Sequence, residues 1–124
     1  MLASATLVAF APTTDLERSH AFYGGVLGLR RVEASPFANA YDAGGTPLRV
    51  TVVESFEPDP FTVLGWQVSD LSATVAALRA AGVEMLRYPS MAQDSDDAWT
   101  SPSGMRIAWF RDPDGNTLSV GQSA

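Results

Sequence analysis

Fourteen carboxylates, eight arginines, one histidine and no cysteine are the groups with which this chain would do acid–base, nucleophilic or metal chemistry. The absence of cysteine excludes thiolate zinc sites, disulfides and a thiol nucleophile together. His20, the only histidine, falls inside a predicted helix at the edge of its apolar stripe. It is expected as a partly exposed helix residue facing away from any binding site, with Glu17 a surface neighbour rather than half of a metal cage. Three groups of carboxylates stand out: Glu57 with Asp59, Asp94 with Asp96 and Asp97, and Asp112 with Asp114. The last belongs to an Asp-Pro-Asp-Gly turn, and turn chemistry accounts for it. The run Asp94-Ser95-Asp96-Asp97 lies in a polar connection and reads either as a solvated loop or as a lure for a cationic group. No P-loop, dinucleotide fingerprint, Gly-x-Ser-x-Gly elbow or Ser/His/Asp set can be assembled. Among the aromatics, Trp99 is isolated in the polar stretch 89–103, where it would either touch a ligand or anchor a lid.

These groups must be positioned by short elements that occur twice. Leu2 to Ala11 reads as a strand ended by Pro12. Thr14-Asp15-Leu16-Glu17 reads as a capping box with Thr14 as N-cap, and Leu16, Tyr23 and Val26 or Leu27 supply the buried side of the helix that follows. Gly24-Gly25 is a weak point in that helix and not a phosphate cradle. Gly28 is a fitting C-cap, because a left-handed residue costs least without a Cβ. Strands are expected at Arg30 to Glu33, Asn39 to Asp42 and Leu48 to Val53, with Gly44-Gly45 turning the chain between the last two. The second half repeats the plan. It has a strand at Phe61 to Val68, a helix from Ser69-Asp70-Leu71 to Gly82, and strands at Val83 to Arg87, Arg106 to Arg111 and Thr117 to Gly121. The expected fold is therefore α+β, with two tandem βαβββ modules, about 1–57 and 58–124, forming one cupped mixed sheet with the helices outside. The stretch 89–103 is expected to cross the mouth of the cup.

The bulk numbers restrict the partners. A 124-residue chain that is 46% hydrophobic and 18% charged suits one compact domain. A net charge of −6 with arginines spread along the chain argues against nucleic acid and anionic membranes. No apolar run approaches the roughly 20 residues that cross a bilayer. The start, Met1 to Ala11, lacks the basic flank and apolar length of a signal peptide. A cytoplasmic location is expected.

Within this duplicated plan, Thr14-Asp15-Leu16-Glu17-Arg18-Ser19, Phe22-Tyr23, Leu27-Gly28-Leu29 and Phe110-Arg111-Asp112-Pro113-Asp114-Gly115-Asn116 resemble the signature of the glyoxalase/bleomycin-resistance/extradiol-dioxygenase, or vicinal-oxygen-chelate, superfamily. The resemblance spans essentially the whole chain. It implies a cup that in many members holds one divalent ion between His, Glu or Gln side chains. One ligand sits on the first strand of each module and one on a later strand of each. The matching positions here are Leu7 or Val8, Val63, Ser119 and the stretch Leu48-Arg49-Val50, with Glu54 the nearest donor to the last. Hydrocarbon, a hydroxyl and a guanidinium do not ligate such an ion. The resemblance therefore implies no metal, no cofactor and no catalytic residue. It points to a small amphipathic or aromatic molecule bound in the cup, as in drug sequestration of the bleomycin-resistance type. Leu7, Arg49, Val63, Gln67, Trp99 and Ser119 are expected to line the cup, and an acidic mouth is expected to favour positive charge. Two other readings stand beside this one. The first is a metal-dependent lyase, isomerase or dioxygenase-like enzyme with relocated ligands. The second is a structural or regulatory domain with a vestigial pocket. A homodimer is expected on the resemblance alone.

Overall fold

The computed structural model describes residues 1–124, which separate into two compact units, Met1–Glu57 and Pro58–Ala124. Each unit carries one four-stranded mixed sheet and one helical segment.

In the first unit the strands are β1 (Ala9–Thr13), β2 (Arg30–Ala34), β3 (Ala38–Ala43) and β4 (Thr46–Val52), ordered β1-β4-β3-β2 with β1 parallel to β4. The first strand begins later than the apolar run suggests. Its ladder starts where Ala9 faces Leu48, and the next partner outward is Pro47, which has no N–H to give. It also continues through Pro12 to Thr13, because β1 is an edge strand and a proline there breaks no bond on its open side.

Helix α1 (Leu16–His20) is capped by Asp15, not by Thr14. The Asp15 carboxylate accepts from the amides of Glu17 and Arg18, while Thr13 holds Asp15 in a local turn through its hydroxyl. Aspartate and threonine are both competent caps, so one residue of slip costs little. At Ala21 the helix widens into a π-helical stretch, Ala21–Val26, closed by the Leu27 amide on the Phe22 carbonyl at 2.8 Å. Gly24 sits inside it against His20: a Cβ there would lie 2.4 Å from the His20 ring. Gly44 and Gly45, at φ +61° and +93°, make the two-residue turn between β3 and β4.

The second unit contains β5 (Thr62–Gln67), α2 (Leu71–Ala80), β6 (Trp99–Thr100), β7 (Arg106–Arg111) and β8 (Thr117–Gln122). Its sheet is ordered β5-β8-β7-β6, with β5 parallel to β8. Asp70 caps α2, the counterpart of Asp15. Leu71, Val75 and Leu78 of the helix, with Ala108, Phe110, Leu118 and Val120 of the sheet, are the buried core of this unit.

The strand expected at Val83 to Arg87 is reduced to a single bridge, Met85 to Phe110, and the outer strand is β6 instead. The reason is the Gln93 side chain. It accepts from the Tyr88 amide and donates to the carbonyls of Leu86 and Asp97, satisfying main-chain groups that a neighbouring strand would otherwise pair. No helix in either unit is long and apolar enough to cross a membrane.

Candidate functional site

Register decides which side chains share the uncovered face of each sheet. In the first unit Asn39 and Tyr41 point to the helical side. The Asn39 amide donates to the Leu16 carbonyl, and Tyr41 Oη lies 2.9 Å from His20 Nδ1. His20 is thus a half-buried partner of Tyr41 on the helical side. Burial raises the Tyr41 hydroxyl above its ordinary value, against the opposing influence of Arg31 and Asn39. The opposite face carries the cross-strand row Phe10, Arg49 and Ala40. Phe10 is 59% exposed there.

In the second unit the open face is built of three rows across β7, β8 and β5. They are Arg111, Thr117 and Thr62; then Trp109, Ser119 and Gly65; then Ile107, Gly121 and Gln67. Two of the hollows along these rows flank Trp109 and Ser119. One, of about 290 Å³, is bounded by Gly65, Trp66, Gln67, Met105, Ile107, Ser119 and Gly121. The other, of about 340 Å³, lies around Trp109, Phe61, Tyr88 and Met91. The glycines keep the floor low. A Cβ at Gly65 would stand 2.8 Å from Ser119 Oγ, and one at Gly121 would meet the Met105 methyl at 2.8 Å.

Trp109 is held on two sides. Its Nε1 donates to Thr62 Oγ1 at 3.1 Å, and the Tyr88 ring meets it edge-on with centroids 5.5 Å apart. An indole fixed in this way has already lost the rotamer freedom that binding would otherwise cost.

A model of the Glyoxalase/Bleomycin resistance protein/Dioxygenase superfamily matches residues 6–120. The chain belongs to that superfamily. Solved structures with the same fold include a glyoxalase-related enzyme from Fulvimarina pelagi, at 23% identity and a TM-score of 0.73, covering 97% of this chain and 88% of that one. A lactoylglutathione lyase from Agrobacterium tumefaciens gives 22% identity and a TM-score of 0.72, covering 96% and 93%. An integron cassette protein from the mobile metagenome of V. cholerae gives 22% and 0.70, covering 100% and 98%. No curated protein matches the chain. At these identities the likeness speaks for the fold and not for an activity.

The superfamily's metal positions can be tested on the donors present. Leu7 lies before β1 and is 74% exposed, Arg49 projects from the open face of the first sheet, Val63 sits in the bulge of β5, and Ser119 stands beside Trp109. None of the four is a carboxylate, imidazole or amide. Within neither unit do three His, Asp or Glu side chains gather in a group that could hold an ion. The residues present do not fit a divalent metal.

Of the residues expected to line a site, Gln67 and Ser119 border one hollow. Trp99 is paired in β6 opposite Ile107 and borders none of the hollows described. Trp109 lines one hollow with Phe61 and Tyr88, Trp66 borders the other, and the place of Trp109 follows from register. The Asp112 turn sets Arg111 opposite Thr117, so Trp109 must face Ser119, the residue already assigned to the site.

The acidic run is not a mouth awaiting a cation. Asp97, at φ +56°, takes Arg79 and Arg87 at 2.6 Å each, and Arg106 bonds both Asp94 and Asp96. Desolvation opposes the charge on Asp94, but Arg106 and the amides of Ala98 and Asp96 outweigh it and hold the carboxyl below its ordinary value. Asp96 is lowered by the Ser72 hydroxyl and by Arg106. Three arginines consume this cluster.

Proposed function

We propose that the chain is a single domain of this superfamily that binds a small aromatic or amphipathic molecule on the open face of β5, β8 and β7, without a metal ion. The observation that carries the reading is Trp109, fixed by Thr62 and Tyr88 at one hollow and set opposite Ser119, which borders a second hollow floored by Gly65 and Gly121. A ring laid on that indole gains dispersion and area burial at little ordering cost. Phe61, Met91, Met105 and Ile107 offer an apolar, adaptable wall, while Gln67 and Ser119 supply a few polar fixing points. The donor chemistry at the superfamily's metal positions favours binding over metal-assisted turnover. Capture of a toxic compound would need no more than this.

The test is a tryptophan-fluorescence titration with a panel of aromatic natural products, run beside Trp109→Phe. At least one compound should change the wild-type signal, and the variant should lose that response. No change with any member sinks the reading. Stoichiometric Ni, Zn, Mn or Fe in protein purified without a histidine tag would favour an enzyme with relocated ligands instead. A homodimer and a cytoplasmic location belong to the same proposal, and light scattering checks the first.

A further inference from the structure

The arginines divide into two kinds. Arg79, Arg87 and Arg106 are spent on Asp94, Asp96 and Asp97, Arg30 is paired with Asp42, and Arg18 and Arg31 bond Thr14 and Asn39. Only Arg49 and Arg111 have side chains with no hydrogen bond or ion pair, and each stands on the uncovered face of its own sheet. An arginine left without a partner where the protein makes many other Arg–Asp pairs is conspicuous, because its five donors suit a planar oxyanion.

Arg111 is two residues beyond Trp109 on β7 and shares its face, a separation of roughly 7 Å along a strand. It borders a hollow of about 340 Å³ with Pro60 and Thr117, and both of those residues also border the Trp109 hollow. Indole and guanidinium therefore flank one continuous stretch of surface.

We propose that the ligand is an aromatic acid, its ring on Trp109 and its carboxylate paired with the Arg111 guanidinium. The inference rests on the binding reading above and reverses the sign of charge expected from the acidic run. Asp59 borders the same hollow as Arg111 without pairing with it. Its carboxylate weakens an incoming anion and sets a ceiling on affinity that can be lifted by mutation.

Calorimetry with 2-naphthoate, neutral 2-naphthamide and cationic 2-naphthylmethylamine tests the charge preference, with the indole N–H signal of Trp109, assigned through Trp109→Phe, reporting where the ring sits. The acid should bind roughly five- to tenfold more tightly than the amide, and the amine more weakly than either. Arg111→Gln should bring the acid-to-amide ratio to about one, Arg111→Lys should restore part of it, and Asp59→Asn should widen it. Amide binding at Trp109 with no advantage for the acid, or a ratio indifferent to Arg111→Gln, overturns this proposal and leaves the binding reading standing. If no probe of the three binds or moves the Trp109 signal, both fall.

Discussion

The two units follow one plan and finish it differently. The first closes its inner hairpin with Gly44-Gly45 and a half-buried Asp42 that accepts from the Gly45 amide and pairs with Arg30. The second closes the equivalent hairpin with Asp112, which is 5% exposed and accepts from the amides of Asp114 and Asn116 and from the Asn116 side chain. The first completes its edge with a backbone-paired β2. The second has only the two-residue β6 and a single bridge there, supplemented by an amide plug and an ion-pair clasp. Main-chain pairing is the same in every sequence, whereas side-chain plugs depend on single residues. The second unit should therefore be the more sensitive to point substitution, although it carries the candidate site.

The largest effect should come from Asp112→Ala. It strands buried amides and the Asn116 side chain, and it should cost about 2–4 kcal/mol in denaturant unfolding. Asp42→Ala, at the matching corner of the first unit, loses only solvent-exposed bonds and should leave the midpoint almost unmoved. Equal losses at the two corners would break the contrast.

Next is the clasp. Asp97→Ala removes two ion pairs and puts alanine at φ +56°, a left-handed conformation that disfavours a Cβ without a local hydrogen bond. The expected cost is about 1–2 kcal/mol, discounted because Arg79 and Arg87 are largely solvated. Asp97→Asn should cost less, because asparagine tolerates that backbone, and the gap between the two variants measures the conformational share. Amide exchange should rise across 88–98 first. Arg30→Ala, at the edge of the other sheet, should do nothing measurable.

The helices sharpen the contrast at a smaller scale. Gly24→Ala drives a methyl into the His20 ring and should cost about 1 kcal/mol, with loss of the His20–Tyr41 bond visible by NMR. Gly25→Ala meets nothing within 4 Å and should be neutral or stabilising by a few tenths of a kcal/mol. If both alanines behave alike, the close packing of Gly24 on His20 is not what holds the π-helical turn.

Much of this architecture could be read from local chemistry. Asp15 and Asp70, Gly28 and Gly82, and the Asp112 turn mark the ends of elements, and both βαβββ modules followed from them. The misplacements have more than one cause. Pro47, far from Leu2–Val8 in sequence, stops the ladder of β1, whereas Gln93 meets Tyr88 and Leu86 from only five and seven residues away and takes the place of the strand expected at Val83 to Arg87. At the candidate site, alternation sets Gln67 and Ser119 beside one hollow and cross-strand register sets Trp109 opposite Ser119, whereas isolation in a polar stretch is the only signal for Trp99. Nor does a run of aspartates reveal that three arginines from outside it will neutralise them.

Acid should expose the last and smallest difference. Asp94, Asp96 and Asp42 are all held below their ordinary value of 3.8 in the folded chain. A carboxyl lowered on folding contributes stability that is full above the unfolded value and is lost as pH falls through the folded one. Melting temperature should therefore hold down to about pH 5 and decline below about pH 4. In the second unit Arg106 supports two of these carboxylates, so Arg106→Gln should melt lower at neutral pH and fall less steeply in acid. In the first, the Gly45 amide is the leading influence on Asp42 and survives Arg30→Gln, whose curve should run parallel to wild type. An Arg106→Gln curve parallel to wild type would mean that those ion pairs, for all their short distances, are balanced by the water they displaced.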